Sequence, residues 1–273
     1  MVELLYQFGG MLVNKKRVFE IDLVRGFVLI LVILFHLAYD LYVFLGLSAF
    51  SFINHPLFEA MLRKPFIGVL ILVSGISCSF SRNNLRRGGR MLLFSALLTL
   101  ITYVIDQYVW SGSGIIWFNI LHVISVSTLI YALLAYFASR RQEKIGERAA
   151  ENFTLLLLLL GIYIALLSQI LATYPYASRP AGWWLLIFGF PPADLVMMDY
   201  LPLLPWLGFF FVGAAIGRIA YKNKESRFSD INPKLTSALR PLAWVGEHSL
   251  AVYVLHQPLL LLLVLGLRAL TLP

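Results

Sequence analysis

The stretch from Leu23 to Gly46, LVRGFVLILVILFHLAYDLYVFLG, decides the fold class. It is apolar and long enough to cross a bilayer as a helix, which takes about 20 residues. Yet it contains Arg25, His36 and Asp40. At 3.6 residues per turn, Arg25 and His36 fall about 20° apart around the axis and Asp40 about 40° further on, so one face carries all three. Ionisable side chains within a span are costly, turn toward a bundle interior or a water-filled cavity, and mark function by default.

The rest of the chain has the same character. Its 273 residues are 60% hydrophobic and 13% charged, with a mean hydropathy of +0.81. This is the composition of a polytopic membrane protein. The reading is an all-α membrane helix bundle of about seven spans, near 23–46, 59–81, 90–110, 114–138, 153–174, 202–221 and 242–269. The stretch 182–198, apolar but broken by Pro191 and Pro192, is either a re-entrant or interfacial segment or an extra span. One integral-membrane domain over 1–273 is expected, with 1–22 as a cytoplasmic N-terminal segment. Met1–Gly10 lacks the basic start of a cleavable signal peptide, and no internal repeat is evident.

Basic residues set the orientation. Lys15, Lys16, Arg17 and Arg25 precede or open the first span. Arg82, Arg86, Arg87 and Arg90 fill one loop, and Arg140, Arg141, Lys144 and Arg148 another. Arg218, Lys222, Lys224, Arg227, Lys234 and Arg240 fill a third. Only Arg63, Lys64, Arg179 and Arg268 lie on the other side of the expected spans. Positive charge marks the cytoplasmic face, so the N-terminus is expected inside. The net charge of +8 reflects this topology, and nucleic acid is not an expected partner. Cys78, the single cysteine, rules out an internal disulfide and a multi-cysteine metal or redox site.

Depth follows from the helical rise. His36 lies about 20 Å up the first span, His256 about 21 Å up the last, and His122 about 12 Å down from the outer end of the fourth. The three histidines are therefore expected at one level in the outer half. Asp40, Asp106, Asp199 and Gln257 complete a polar cavity. On the cytoplasmic side Arg25, Arg82 and Lys222 supply cations, and Ser74, Ser77 and Ser81 share one helix face. Cations and hydroxyls suit phosphate, which arginine binds bidentately. A ligand with phosphates inside and a reactive end roughly 20 Å deeper has the outline of an acyl-coenzyme A.

VRGFVLILVILFH, with its arginine and histidine after Glu20-Ile21-Asp22, resembles the first-span signature of the transmembrane acyltransferase superfamily. EIDLVRG, HPLFEAMLRKPF, LVSGISCSFSR, DYLPLLPWLGFFFVGAAIGR and GEHSLAVYVLHQPLL together resemble the bacterial branch related to heparan-α-glucosaminide N-acetyltransferase, from about Arg17 to Leu260. That resemblance implies a transferase moving an acyl group, most often acetyl, from cytosolic acetyl-CoA to an acceptor reached from the other side. The acceptor does not carry over from the resemblance; an amine or hydroxyl of a sugar or cell-envelope glycan is expected. Acetyl-CoA is a co-substrate, with no tightly bound cofactor or metal. The lysosomal enzyme pairs an asparagine at the end of the first span with a histidine in the next loop. His36 stands at the asparagine's position and His55 near the loop histidine, after a longer loop. His36, Asp40 and His55 are the expected catalytic residues, with Arg25, Ser74, Ser77 and Arg82 for the coenzyme and His122, Asp199, His256 and Gln257 lining the cavity.

Each residue also has a plainer reading. His122 and His256 serve equally as polar glue between spans, Arg25 as a snorkelling cation, and Trp183, Trp184 and Trp206 as an interfacial belt. His248, about two turns into the last expected span, reads as structural. A proton-coupled transporter or flippase would use the same cavity without any acyl-CoA. The lipid bilayer is the expected surrounding, and oligomeric state stays open, a homodimer included.

Overall fold

The structure, a computed structural model, describes residues 18–112, 114–145, 148–173, 182–192, 195, 197, 199–222, 225–226 and 233–271. Every regular element among them is helical, apart from one isolated bridge between Ile115 and Met197. The helices are α1 (Phe19–Leu45), α2 (Pro56–Phe80), α3 (Asn84–Val109), α4 (Ile120–Ile145), α5 (Arg148–Thr173), α6 (Trp206–Ala220), α7 (Pro233–Glu247) and α8 (Ser249–Thr271). Six of them, α1 to α5 and α8, are long and apolar enough to cross a membrane. The fold is an all-α polytopic helical bundle.

Local chemistry sets the helix starts. Glu20 and Asp22 occupy the first turn of α1, where carboxylates meet the positive end of the helix dipole. His55 caps α2 ahead of Pro56, a residue whose missing N–H costs nothing at that position. Asn83 caps α3 by accepting the Arg86 N–H at 2.8 Å.

Three expectations change. The span expected at 202–221 begins only at Trp206, because Pro202 and Pro205 stand before it. Its 15 residues cover about 22 Å, short of a bilayer core. The span expected at 242–269 is two helices, α7 and α8, divided at His248. Lys234, Arg240 and Glu247 make α7 too polar to be the beginning of a span. The stretch 182–198 contributes no membrane-length helix among its described residues. Gly182 N–H bonds the Phe190 carbonyl at 3.2 Å, a 3-10 turn fills Leu186–Phe188, and Gly189 turns the chain at φ 103°.

The described residues gather into two compact units. In the unit spanning 38–220, α6 is the buried element despite its length. Phe210, Phe211, Ala214 and Ala215 are at most 2% exposed. A Cβ on Gly213 would overlap the Leu72 carbonyl of α2, and one on Gly75 the Phe210 carbonyl of α6. Gly161 of α5 and Gly208 of α6 face each other in the same way. Such small-residue contacts let backbones approach where lipid removes the hydrophobic drive between helices.

The other unit joins both ends of the chain, 1–37 and 221–273. Here α1 meets α7, and a Cβ on Gly26 would overlap the Leu242 carbonyl while one on Gly246 would overlap the Asp22 carbonyl. Arg25 fastens this crossing through one Nη1, which donates to Asp22 Oδ1 at 3.0 Å and to the Gly246 carbonyl at 3.1 Å. The Ser226 hydroxyl donates to Glu20 Oε2 at 2.6 Å nearby.

Overpacking a backbone contact costs about 1–3 kcal/mol or more. Gly246→Val is expected to lower the unfolding midpoint clearly, because backbone faces its Cβ. Gly266→Ala on α8, with nothing within 4 Å, is expected to leave it unchanged. Thermal unfolding read by a thiol-reactive fluorophore checks both, since Cys78 is 1% exposed and reacts only on unfolding.

Candidate functional site

The glycine crossing sets the register of the unit made from the chain ends. His36 lies ten residues beyond Gly26, and His256 ten residues beyond Gly246. His36 is about 15 Å further along α1, His256 lies beyond the α7–α8 junction on α8, and there the two imidazoles meet. Their ring centroids are 5.0 Å apart with planes at 75°. The sequence reading expected His36, His122 and His256 at one level; the structure brings the rings of His36 and His256 together, with α8 starting only at Ser249.

Both rings have their tautomer set by main chain. His36 Nδ1 lies 2.8 Å from the Val32 carbonyl, and His256 Nδ1 lies 2.5 Å from the Tyr253 carbonyl. A carbonyl oxygen only accepts, so in each ring Nδ1 carries a hydrogen, and in the neutral imidazole Nε2 holds a lone pair. His256 is 8% exposed, and its Nε2 is buried with no hydrogen-bond partner among the described residues. The Tyr253 ring packs against His256 at 5.2 Å, and Phe35 against His36 at 5.4 Å. Pro258, two residues on, cannot donate to the Val254 carbonyl and so loosens the helical ladder at this turn. Gln257 follows His256 directly. Among the described residues no three of His, Cys, Asp and Glu gather as a metal-binding group.

The other expected residues fall as follows. Arg25 is 13% exposed at its side chain and paired with Asp22. Ser74 and Ser77 donate to carbonyls of their own helix, Leu70 and Val73, each at 2.8 Å. Arg82 is exposed in the turn between α2 and α3. Asp40, one helical turn beyond His36 on α1, is 1% exposed and belongs to the 38–220 unit.

In that unit His122 is not deep in a span. The helix starts at Ile120, so His122 sits in its first turn rather than about 12 Å along. Both its ring nitrogens are engaged: Nδ1 accepts the Asn119 N–H at 3.2 Å and Nε2 lies 3.3 Å from Thr99 Oγ1. His55 is exposed, and its Nδ1 accepts the Leu57 N–H at 3.3 Å. Its hydrogen is therefore on Nε2, the opposite of His36 and His256. Asp199 adopts a left-handed φ of 45° and lies 3.9 Å from Arg63 Nη2. Arg63 also holds Glu59 at 2.9 Å across a π-helical turn. The sequence reading did not foresee this carboxylate–guanidinium–carboxylate group, because only the fold brings residues 63 and 199 together. His248 is exposed at the α7–α8 junction, with Nδ1 2.9 Å from the Trp244 carbonyl.

One comparison with known proteins identifies a family. No curated protein and no solved structure matches the chain. Residues 17–258 match the profile described as "Heparan-alpha-glucosaminide N-acetyltransferase, catalytic". That match spans both units and both helices that carry the paired histidines, so the chain belongs to this family of transmembrane acetyltransferases.

Proposed function

We propose that this protein transfers an acyl group, most simply acetyl, from cytosolic acyl-CoA to an amine or hydroxyl of a sugar or envelope glycan. The observation that carries the reading is His36, a histidine within a span whose Nδ1–H is spent on the Val32 carbonyl. This leaves Nε2 as the basic atom, as a general base requires. The acceptor nitrogen or oxygen attacks the thioester carbon, His36 Nε2 takes its proton, and the C–S bond breaks. The proton then passes to the departing sulfur, so free thiol and acylated acceptor leave.

Arg25 is assigned to the coenzyme phosphates. Asp22 and the Gly246 carbonyl hold its Nη1 in place, and a guanidinium is suited to pair bidentately with phosphate. The cytoplasmic assignment of this end rests on the distribution of Lys and Arg along the chain.

Three outcomes test the reading. Calorimetry of the detergent-purified protein is expected to give saturable acetyl-CoA binding, kept in His36→Ala and weakened at least about tenfold in Arg25→Ala, since one charged hydrogen-bond partner contributes on the order of 1.5–3 kcal/mol. Well-folded protein that binds neither acetyl-CoA nor longer acyl-CoAs overturns it. In turnover, His36→Ala is expected to lower kcat by about 10²–10⁴-fold, the range for losing a general base. For orientation, an impermeant maleimide on right-side-out vesicles is expected to label Ser111→Cys but not Arg86→Cys, against the silent background of buried Cys78.

A further inference from the structure

The functional reading above uses one imidazole, yet the structure holds two. His256 Nε2 has a lone pair, is shut away from solvent, and meets no donor among the described residues. A buried acceptor left unmet is unfavourable, and the donor it lacks is the kind of atom a ligand brings. His36, 5.0 Å away between centroids, offers a second lone pair of the same kind. Two plainer roles fit less well. Glue between helices would use Nε2 in a bond, as His122 does with Thr99. A metal would need further ligands, and no third one joins the pair among the described residues.

We propose that His256 is a second catalytic residue, whose Nε2 accepts one N–H of a primary-amine acceptor while His36 Nε2 accepts the other. The assignment rests on the acyl-transfer reading above. A primary amine has two N–H donors and one lone pair. Holding both hydrogens on two imidazole nitrogens turns the lone pair toward the thioester carbon. As the N–C bond forms, the nitrogen becomes cationic, and one of its two protons moves to an imidazole Nε2. The C–S bond then breaks, the thiolate takes that proton, and the other hydrogen stays on the new amide. Amine and thioester become amide and thiol, with nothing left over. A hydroxyl has one hydrogen and engages only one of the two rings, so the pair favours amines over alcohols.

The experiment uses the full chain in lipid nanodiscs with acetyl-CoA and a panel of primary amines, from hydroxylamine to glucosamine, with glucose as the alcohol. His256→Ala removes the ring, whereas His256→Asn keeps a side-chain N–H for the Tyr253 carbonyl and removes only the base, so a purely structural role survives in it. Both variants are expected to lose about 100-fold or more in kcat toward amines, the low end for an acid–base group, with acetyl-CoA affinity within twofold of wild type. Free imidazole is expected to restore part of the rate in His256→Ala. Wild type is expected to acetylate amines faster than glucose. His256→Asn within threefold of wild type, or no imidazole rescue of a folded His256→Ala, overturns the assignment of His256 alone. A wild type that acetylates nothing in the panel overturns the acyl-transfer reading and the His256 role with it.

Discussion

Where the backbones of α1 and α7 touch, only hydrogen fits between them, and that contact does more than hold two helices together. A helix is a rigid ruler rising about 1.5 Å per residue. Gly26 against Gly246 fixes where α1 stands against the end of α7, from which the chain passes through His248 into α8. Ten positions on, His36 finds His256. Arg25 secures the pin with bonds to both helices. The site is thus specified mostly by residues without functional side chains.

A second constraint runs through the whole molecule. In lipid there is no solvent to satisfy a polar atom, so each must find its partner within the protein. Serines meet this by donating back to their own helices, as Ser74, Ser77 and Ser95 do. Arg218 meets it by donating to Thr154 at 2.8 Å and the Ala150 carbonyl at 3.2 Å, with its guanidinium over the Phe153 ring. His122 meets it through Asn119 and Thr99. His256 Nε2 is one of a few buried polar atoms without a hydrogen-bond partner among the described residues, beside an Nδ1 that is bonded to main chain.

Much of this was legible in the sequence, and the failures have causes. Apolar runs located the spans, since hydropathy reads burial in lipid directly. Their ends were misjudged where local chemistry outweighs hydropathy. Ile115–Phe118 is apolar yet irregular, because the Phe118 carbonyl is taken by Leu201 N–H at 2.9 Å. That moved His122 to a helix start. Ala243-Trp244-Val245 reads as continuous with α8, but the polar face of α7 and the junction at His248 separate them. His36 and His256 were visible as polar residues in apolar helices. Their tautomers were half visible too: a helical histidine has the carbonyl four residues back within reach of Nδ1, as His36 and His248 use it. The approach of Arg63 to Asp199 was hidden, because nothing local connects residues so far apart in the chain.

The unit that carries the paired imidazoles is made from the two ends of the chain, and this has a consequence for biosynthesis. Segments of a membrane protein leave the ribosome in order, and domains generally fold as they are made, N-terminal parts first. Helix α1 emerges before the bulk of the 38–220 unit, while α7 and α8 follow that unit. For most of translation, Gly26 has no Gly246 to rest on and His36 has no partner ring. The 38–220 unit can pack meanwhile from neighbours made in sequence. The ribosome thus delivers the 38–220 unit before the two imidazoles can meet, so a nascent chain keeps its bulk in the bilayer while His36 and His256 are still apart.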